Sequence, residues 1–296
     1  MTRMSLALAA LLIASAAGCA TGRAGQTPGA PLPSAEDPVP SNLVPDGYTG
    51  RYRVATTVLQ NRQHGPQLCT TVMESLPPQC GGPDIAGWTW DGLPHESAAG
   101  TTWGSYVITG TFDGHTFTLT EPATVNNGQF TPNRATPPDF STPCPPPAGG
   151  WRPTEPAKAT DGAMQAANMM ANADPDFAGS WIDQDPAPSG PSPMNDPTKL
   201  VLNVRFTKDL ARHEADLRTV WGGALCVSEA RHTMSELTDI QRQLSNEPGI
   251  THSLVDGVTG TIEVGVFVAT RARQGELDTK YGPGLIRLVG VLVPID

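Results

Sequence analysis

Sulfur is the element through which this 296-residue chain could do its most specific chemistry, and it has five cysteines. Cys69, Cys80, Cys144 and Cys226 lie in the body of the chain, and Cys19 lies near its start. A zinc centre wants a second pair of soft ligands at short spacing, such as C-x-x-C or H-x-x-x-H, and neither pattern occurs. A dithiol redox centre also wants C-x-x-C. A thiolate nucleophile wants an unpaired cysteine with a histidine base. An even set of thiols outside the reducing cytoplasm forms disulfides instead. Three pairings are available. The neighbours Cys69 and Cys80 bracket Pro77-Pro78 and are the preferred pair, which leaves Cys144 for Cys226. No metal and no cofactor is expected.

The remaining reactive side chains form no constellation in sequence. His64, His95, His115, His213, His232 and His252 have no neighbours that would complete a site, and each is expected on a surface or at a strand end. Asp183 and Asp185 fall in a proline-rich turn, where exposure is expected. The G-x-S-x-G, H-E-x-x-H, P-loop and S-x-x-K patterns are absent. The charges from Asp209 to Arg218 alternate in sign, as on a solvated helix face. Trp88 and Trp90 lie two apart, hence on one side of a strand. With Trp103 they are the candidate binding surface, although packing over the core is the commoner use of such rings. The chain is therefore expected to be non-enzymatic.

The N-terminus sets the compartment in which those cysteines are read. Arg3 precedes an apolar run from Leu6 to Ala14, and Ala16-Ala17-Gly18-Cys19 follows. A run this short, ending in small residues, is a secretory signal rather than a membrane span. Ala16-Ala17-Gly18-Cys19 resembles the lipobox of bacterial lipoproteins, with Ala16 where leucine is more usual. The resemblance implies cleavage after residue 18 and diacylation of Cys19, a palmitate-bearing anchor at the extracytoplasmic face of the cell membrane. The formal net charge of -10 and the lack of a Lys/Arg cluster argue against nucleic acid as a partner.

The elements that must position these residues fall into segments. Residues 19–45 are small and proline-rich and read as a disordered stalk. Residues 46–121 read as a small β-barrel or sandwich, OB-like and stapled by a disulfide. Its clearest unit is Y-V-I-T-G-T-F-D-G-H-T-F-T-L-T, with a type I′ turn predicted at Asp113-Gly114. Tyr106, Ile108 and Phe112 then share a face with Phe117 and Leu119. Residues 122–157 read as a proline-rich linker that Cys144 and Trp151 pin to a folded surface. Residues 158–296 contain the order α-β-β-α-β twice, over 158–230 and 231–296. That order predicts an α+β fold with helices packed on one face of an antiparallel sheet. Thr233 and Glu236 form a capping box in the second copy, and L-I-R-L-V-G-V-L-V is its last strand.

Two resemblances bear on these segments. The stretch from Leu68 to Trp90, the hairpin and V-W-G-G-A-L-C-V-S-E-A are similar to a family of uncharacterised actinobacterial lipoproteins, over most of residues 46–296. This resemblance implies a location and an architecture. The duplicated region loosely resembles pro-regions of secreted bacterial serine proteases, modules that assist and inhibit their own protease. These readings make an anchored binding or accessory module, with an envelope protein or glycan as partner, the expected function. A regulator or chaperone-like partner of a secreted hydrolase is the alternative, as is an enzyme with its site in an inter-domain cleft.

Overall fold

The computed structural model describes residues 42–128, 130, 138–184 and 196–296. Cys19, the expected signal at 1–18 and most of the expected stalk lie outside them, as does Asp185. Val39–Asp296 group as one compact unit. Among the described residues the chain is mixed α+β, with four α-helices, several sheets and two disulfides.

The first seven strands are β1 (Tyr52–Gln60), β2 (Gln67–Cys69), β3 (Asp84–Ala86), β4 (Glu96–Ala98), β5 (Thr101–Phe112), β6 (Thr116–Leu119) and β7 (Thr124–Val125). Five of them close a barrel in the order β1-β2-β3-β6-β5 and back to β1, with β3 and β6 parallel and the other pairs antiparallel. Alternation along β1 sends Tyr52, Val54 and Val58 inward, where they meet Leu68, Ile85, Tyr106, Ile108 and Phe117. The faces expected for the hairpin hold. Its turn does not. The closing pair is Asp113 with Thr116, and Gly114 alone is at positive φ (100°), the pattern of a type II′ rather than a type I′ turn. The Asp113 carboxylate explains the shift, because it accepts from the N–H groups of His115 (2.8 Å) and Thr116 (2.7 Å). Those bonds hold its carboxyl below the usual carboxylate range. The register moves by two residues, so every side chain keeps its face.

The helical part follows as α1 (Asp161–Ala173), β8 (Phe177–Asp183), β9 (Val201–Phe206), α2 (Leu210–Val220), β10 (Ala224–Glu229), α3 (Met234–Leu244), β11 (Ile250–Asp256), β12 (Thr261–Val266), α4 (Arg271–Tyr281), β13 (Ile286–Gly290) and β14 (Val293–Pro294). The α-β-β-α-β order thus recurs. Each half forms a three-stranded sheet, β10-β9-β8 and β11-β12-β13. Neither sheet is purely antiparallel. β9–β10 and β12–β13 are parallel, because a helix between two adjacent strands returns the chain to the same end of the sheet. Thr160 and Thr270 cap α1 and α4, and Thr233 and Glu236 exchange the two bonds of a capping box at α3. Ala167, Ala171 and Leu217 cover Leu202, Val204 and Phe206 of one sheet, and Leu237, Leu244 and Leu277 cover Ile262, Val264 and Leu288 of the other. The two sheets touch where Gly179 meets Gly257, and a Cβ on Gly179 would lie 2.3 Å from the Gly257 carbonyl oxygen.

Two features tie the parts together. The expected last strand divides. β13 stays in its sheet, while β14 pairs with Tyr52 and Arg53 of β1 and so joins the barrel. Arg51 also meets Asp296 (2.9 Å) and Glu121 (2.6 Å). The second tie is a strap over the helix-free face of the β8–β10 sheet. Cys144 is bonded to Cys226 of β10 and packs with Trp151, Val201 and Ala224. The Trp181 indole donates to the Phe140 carbonyl (3.0 Å), and Asp183 accepts from the N–H and hydroxyl of Thr142 (both 2.7 Å). Replacing Cys144 and Cys226 together by alanine is expected to cost about 2–5 kcal/mol. Limited proteolysis should then cut the variant within 140–154 at a protease dose that spares the parent chain.

Candidate functional site

α1 ends at Asp174, whose carboxylate accepts the N–H of Asp176 (2.9 Å) and folds Asp174-Pro175-Asp176 into a tight corner. On α2, Leu210, His213 and Leu217 fall at the spacing of one helix face, so His213 turns toward the sheet. It is 2% exposed and stacks face to face on Phe206 at 3.7 Å. This corrects its expected surface position. A period-3.6 reading of Leu210-His213-Leu217 carries the signal that sequence spacing to other histidines missed.

The ligand atoms of Asp174, Asp176 and His213 all lie within 4.8 Å of one another, close enough to hold a metal ion. Their neighbours decide otherwise. The Arg212 guanidinium stands 3.5 Å from Asp174 and 3.7 Å from Asp176, and Lys208 stands 3.2 Å from the other oxygen of Asp176. The two carboxylates therefore already face two cations. Arg212 also lies 2.9 Å from His213 Nε2. The two ring nitrogens also face the carboxylates, Nδ1 at 3.5 Å from Asp174 and Nε2 at 3.6 Å from Asp176. The arrangement is a charge-balanced pin that joins the end of α1 to the start of α2. Beside it, Asp174, Pro175 and Phe177 face Met234, Thr238 and Arg242 of α3 across an open crevice of about 380 Å³.

The expected tryptophan surface divides. Trp88 and Trp90 meet edge to face at 5.2 Å, and both lie against Tyr106. Trp90 donates to Gln60 (2.8 Å) and packs against His95, while the Tyr106 hydroxyl donates to the Pro94 carbonyl (2.6 Å). Tyr106 can fold back this way because residue 104 is glycine; a Cβ there would lie 2.3 Å from its hydroxyl. Both indoles stay half-buried and close one end of the barrel. The Trp88 N–H is enclosed without a hydrogen-bond partner among the described residues. Trp103 is an odd number of residues from Tyr106 on an unbroken ladder, so it faces the opposite side of β5, across from Leu59 and Glu96.

The other candidates also find places. Cys69 is bonded to Cys80, and Cys144 to Cys226, in the preferred pairing. Asp183 is 5% exposed and accepts two bonds from Thr142 on one carboxylate oxygen, so its expected exposure is corrected; the strap covers the end of β8 that it occupies. On the helix-free face of the third sheet, Glu263 lies between His252 (3.4 Å) and Arg287. The hydrogen bond from His252, followed by the bond and charge of Arg287, holds its carboxyl down to about 2 against the opposing effect of burial. Among the described residues no helix is long and apolar enough to cross a membrane. No protein-family profile matches the chain, and no curated protein matches it either.

Two outcomes follow from these charges. If the Asp174–Asp176–His213 group is a pin, Asp176→Ala lowers unfolding free energy by about 1–3 kcal/mol, and millimolar Ca²⁺ or Mn²⁺ leaves the melting temperature of the parent chain unchanged. A folded-state pKa of Glu263 below its unfolded value adds stability that is present above about pH 4.5 and is lost as pH falls towards 2. Glu263→Gln should remove on the order of 2–3 kcal/mol at neutral pH and flatten that acid limb in urea titrations.

Proposed function

We propose that the protein is an extracytoplasmic lipoprotein, anchored through acylated Cys19, that serves the cell envelope as a non-enzymatic binding module. Its barrel is OB-like on this reading. With short β4 set aside, the ring runs first, second, third, fifth, fourth and back to first, and the third and fifth strands are parallel. Barrels of that kind bind oligosaccharides and other polymers on a face and at their loops. The helical half is a duplicated module whose two sheets are covered by helices on one face each.

The observation that carries the binding reading is the aromatic end formed by Trp88, Trp90, Tyr106 and His95. Indole faces give large apolar contact at low entropic cost, and sugar rings and apolar side chains both stack on them. An envelope glycan or protein is therefore the proposed partner.

A second reading, regulator of a secreted hydrolase, draws on a different observation. The Cys69–Cys80 loop stands out from the barrel with Val72, Met73 and Leu76 exposed.

The test has two arms. A fatty-acid probe should label the chain in cells and fail to label Cys19→Ser; a secreted, unlabelled parent chain would refute the anchor. Soluble envelope glycan fragments should quench tryptophan fluorescence saturably, with Trp90→Ala weakening binding at least about tenfold, the loss of one hot-spot ring. An unchanged affinity in Trp90→Ala would move the site elsewhere.

A further inference from the structure

Helix α1 buries one side and leaves an apolar stripe on another. Ala167 and Ala171 pack inward against the first sheet. On the outside, Ala166, Met169, Met170 and Ala173 are all exposed, Met169 by 67% and Met170 by 39%. Positions i, i+3, i+4 and i+7 form one continuous stripe on a helix. Gln165 and Asn172 lie beside that stripe rather than in it, and the Asn172 amide is turned back onto the Asn168 carbonyl (2.7 Å). A contiguous apolar stripe with two adjacent methionines in water marks a contact surface. It does not stop at the helix end. Ala173 also lines the crevice toward α3, together with Phe177 and Met234.

Two properties of the stripe select its occupant. The first is charge. The chain carries a formal net charge of -10, so two copies repel over most of their surface. α2, α3 and α4 each carry several charged side chains, whereas α1 has none after Asp161. On this face two copies can meet without opposing like charges. The second property is symmetry. Ala-x-x-Met-Met-x-x-Ala, from Ala166 to Ala173, reads the same in both directions about the Met169–Met170 bond. A two-fold dimer needs a patch complementary to itself. For a single helix that means a pattern unchanged on reversal.

We propose that α1 is a self-association face, packing antiparallel against α1 of a second copy with the two-fold axis at Met169–Met170. Ala166 of each copy then faces Ala173 of the other, and these small side chains let the two helices approach closely. At the helical period, Met169 and Met170 fall on opposite sides of this alanine seam. Each therefore meets its own counterpart beside the axis, where an unbranched, flexible side chain adapts to fill the space. Antiparallel order also sets the positive end of each helix dipole beside the negative end of the other. The first turn of the second copy's helix, with Gly162 in line with the stripe, comes over the crevice that begins at Ala173. A lipid surface fits less well, because interfacial helices flank their apolar face with Lys or Arg and α1 has neither. The seam runs roughly 17 Å, the rise of the helix from Gly162 to Ala173. That is small beside most stable interfaces, so the dimer is weak and reversible and is best caught by trapping.

Disulfide trapping tests this in the full chain carrying Cys19→Ser, where the four body cysteines are bonded to one another and leave no free thiol. Met169→Cys, beside the axis, is expected to form a covalent dimer under mild oxidation. Ala166→Cys and Ala173→Cys should each stay monomeric alone. On an antiparallel seam each lies about 10 Å along the axis from its own counterpart, beyond disulfide reach. Mixed together, the two variants should link to one another. Gln165→Cys, exposed but off the stripe, reports random collision and should link no faster than that. Adding Met170→Asp to Met169→Cys should slow linking at least about tenfold, the loss of one central contact side chain. All these positions are exposed, so the fold is not at stake. Met169→Cys linking no faster than Gln165→Cys overturns the proposal, whether the chain stays monomeric or binds a different protein there. Ala166→Cys or Ala173→Cys linking alone as fast as the mixture overturns the antiparallel register, and the proposal with it.

Discussion

A β-strand has two edges, and the architecture follows from how β1 divides them. One edge pairs with β5 over all nine residues from Tyr52 to Gln60. The other is shared, with Tyr52 and Arg53 on β14 and Thr57 to Leu59 on β2. The first half of the strand therefore holds the end of the chain, and the second half closes the barrel. Arg51 repeats the tie outside the ladder through its bonds to Asp296, across a separation of 245 residues. Pairings this distant in sequence form only after the intervening loop entropy has been overcome. The barrel core accordingly includes Leu292, with Phe267, Val268 and Val291 packed against it. Residues that β-propensity assigns to a separate N-terminal domain are completed from the other end of the protein.

The two copies of the α-β-β-α-β unit share a solution on one face and differ on the other. Helices cover the inner faces of both sheets with aliphatic side chains, where burial of apolar area is the dominant gain. On the outer face, the first copy is roofed by the strap from Phe140 to Trp151. The second copy carries Glu263, His252 and Arg287, with Leu254 exposed beside them. A roof allows polar groups to be buried only when they are paired, and the Asp183–Thr142 bonds meet that condition. An open face lets charges keep water and each other.

The candidate surfaces lie on the barrel and along α1 rather than on the charge clusters. Asp174, Asp176 and His213 are balanced by Arg212 and Lys208 and serve to join two helices. The barrel, by contrast, leaves apolar and aromatic groups only partly covered, at the Trp88–Trp90 end and on the Cys69–Cys80 loop. Both sit on rigid supports, β5 with its Tyr106 in one case and the disulfide-closed β2–β3 connection in the other. Rigid presentation of incompletely buried side chains is what recognition requires.

Local rules alone account for much of this protein. Alternation assigned the shared face of the β5–β6 hairpin, capping chemistry assigned the start of α3, and the even count of cysteines in the body of the chain, with Cys69 and Cys80 as near neighbours, assigned both disulfides. These succeed because period, cap and covalent pairing depend on residues a few positions apart, or on a choice among very few partners. Other features were decided by the tertiary structure. The turn at Gly114 yielded to the bonds of one carboxylate, and a helix between strands made both sheets mixed. His213 and Asp183 went from expected exposure to burial because Phe206 and the strap, distant in sequence, came to cover them. Whether a polar side chain meets water or a partner depends on what packs over it, and spacing along the chain carries no record of that.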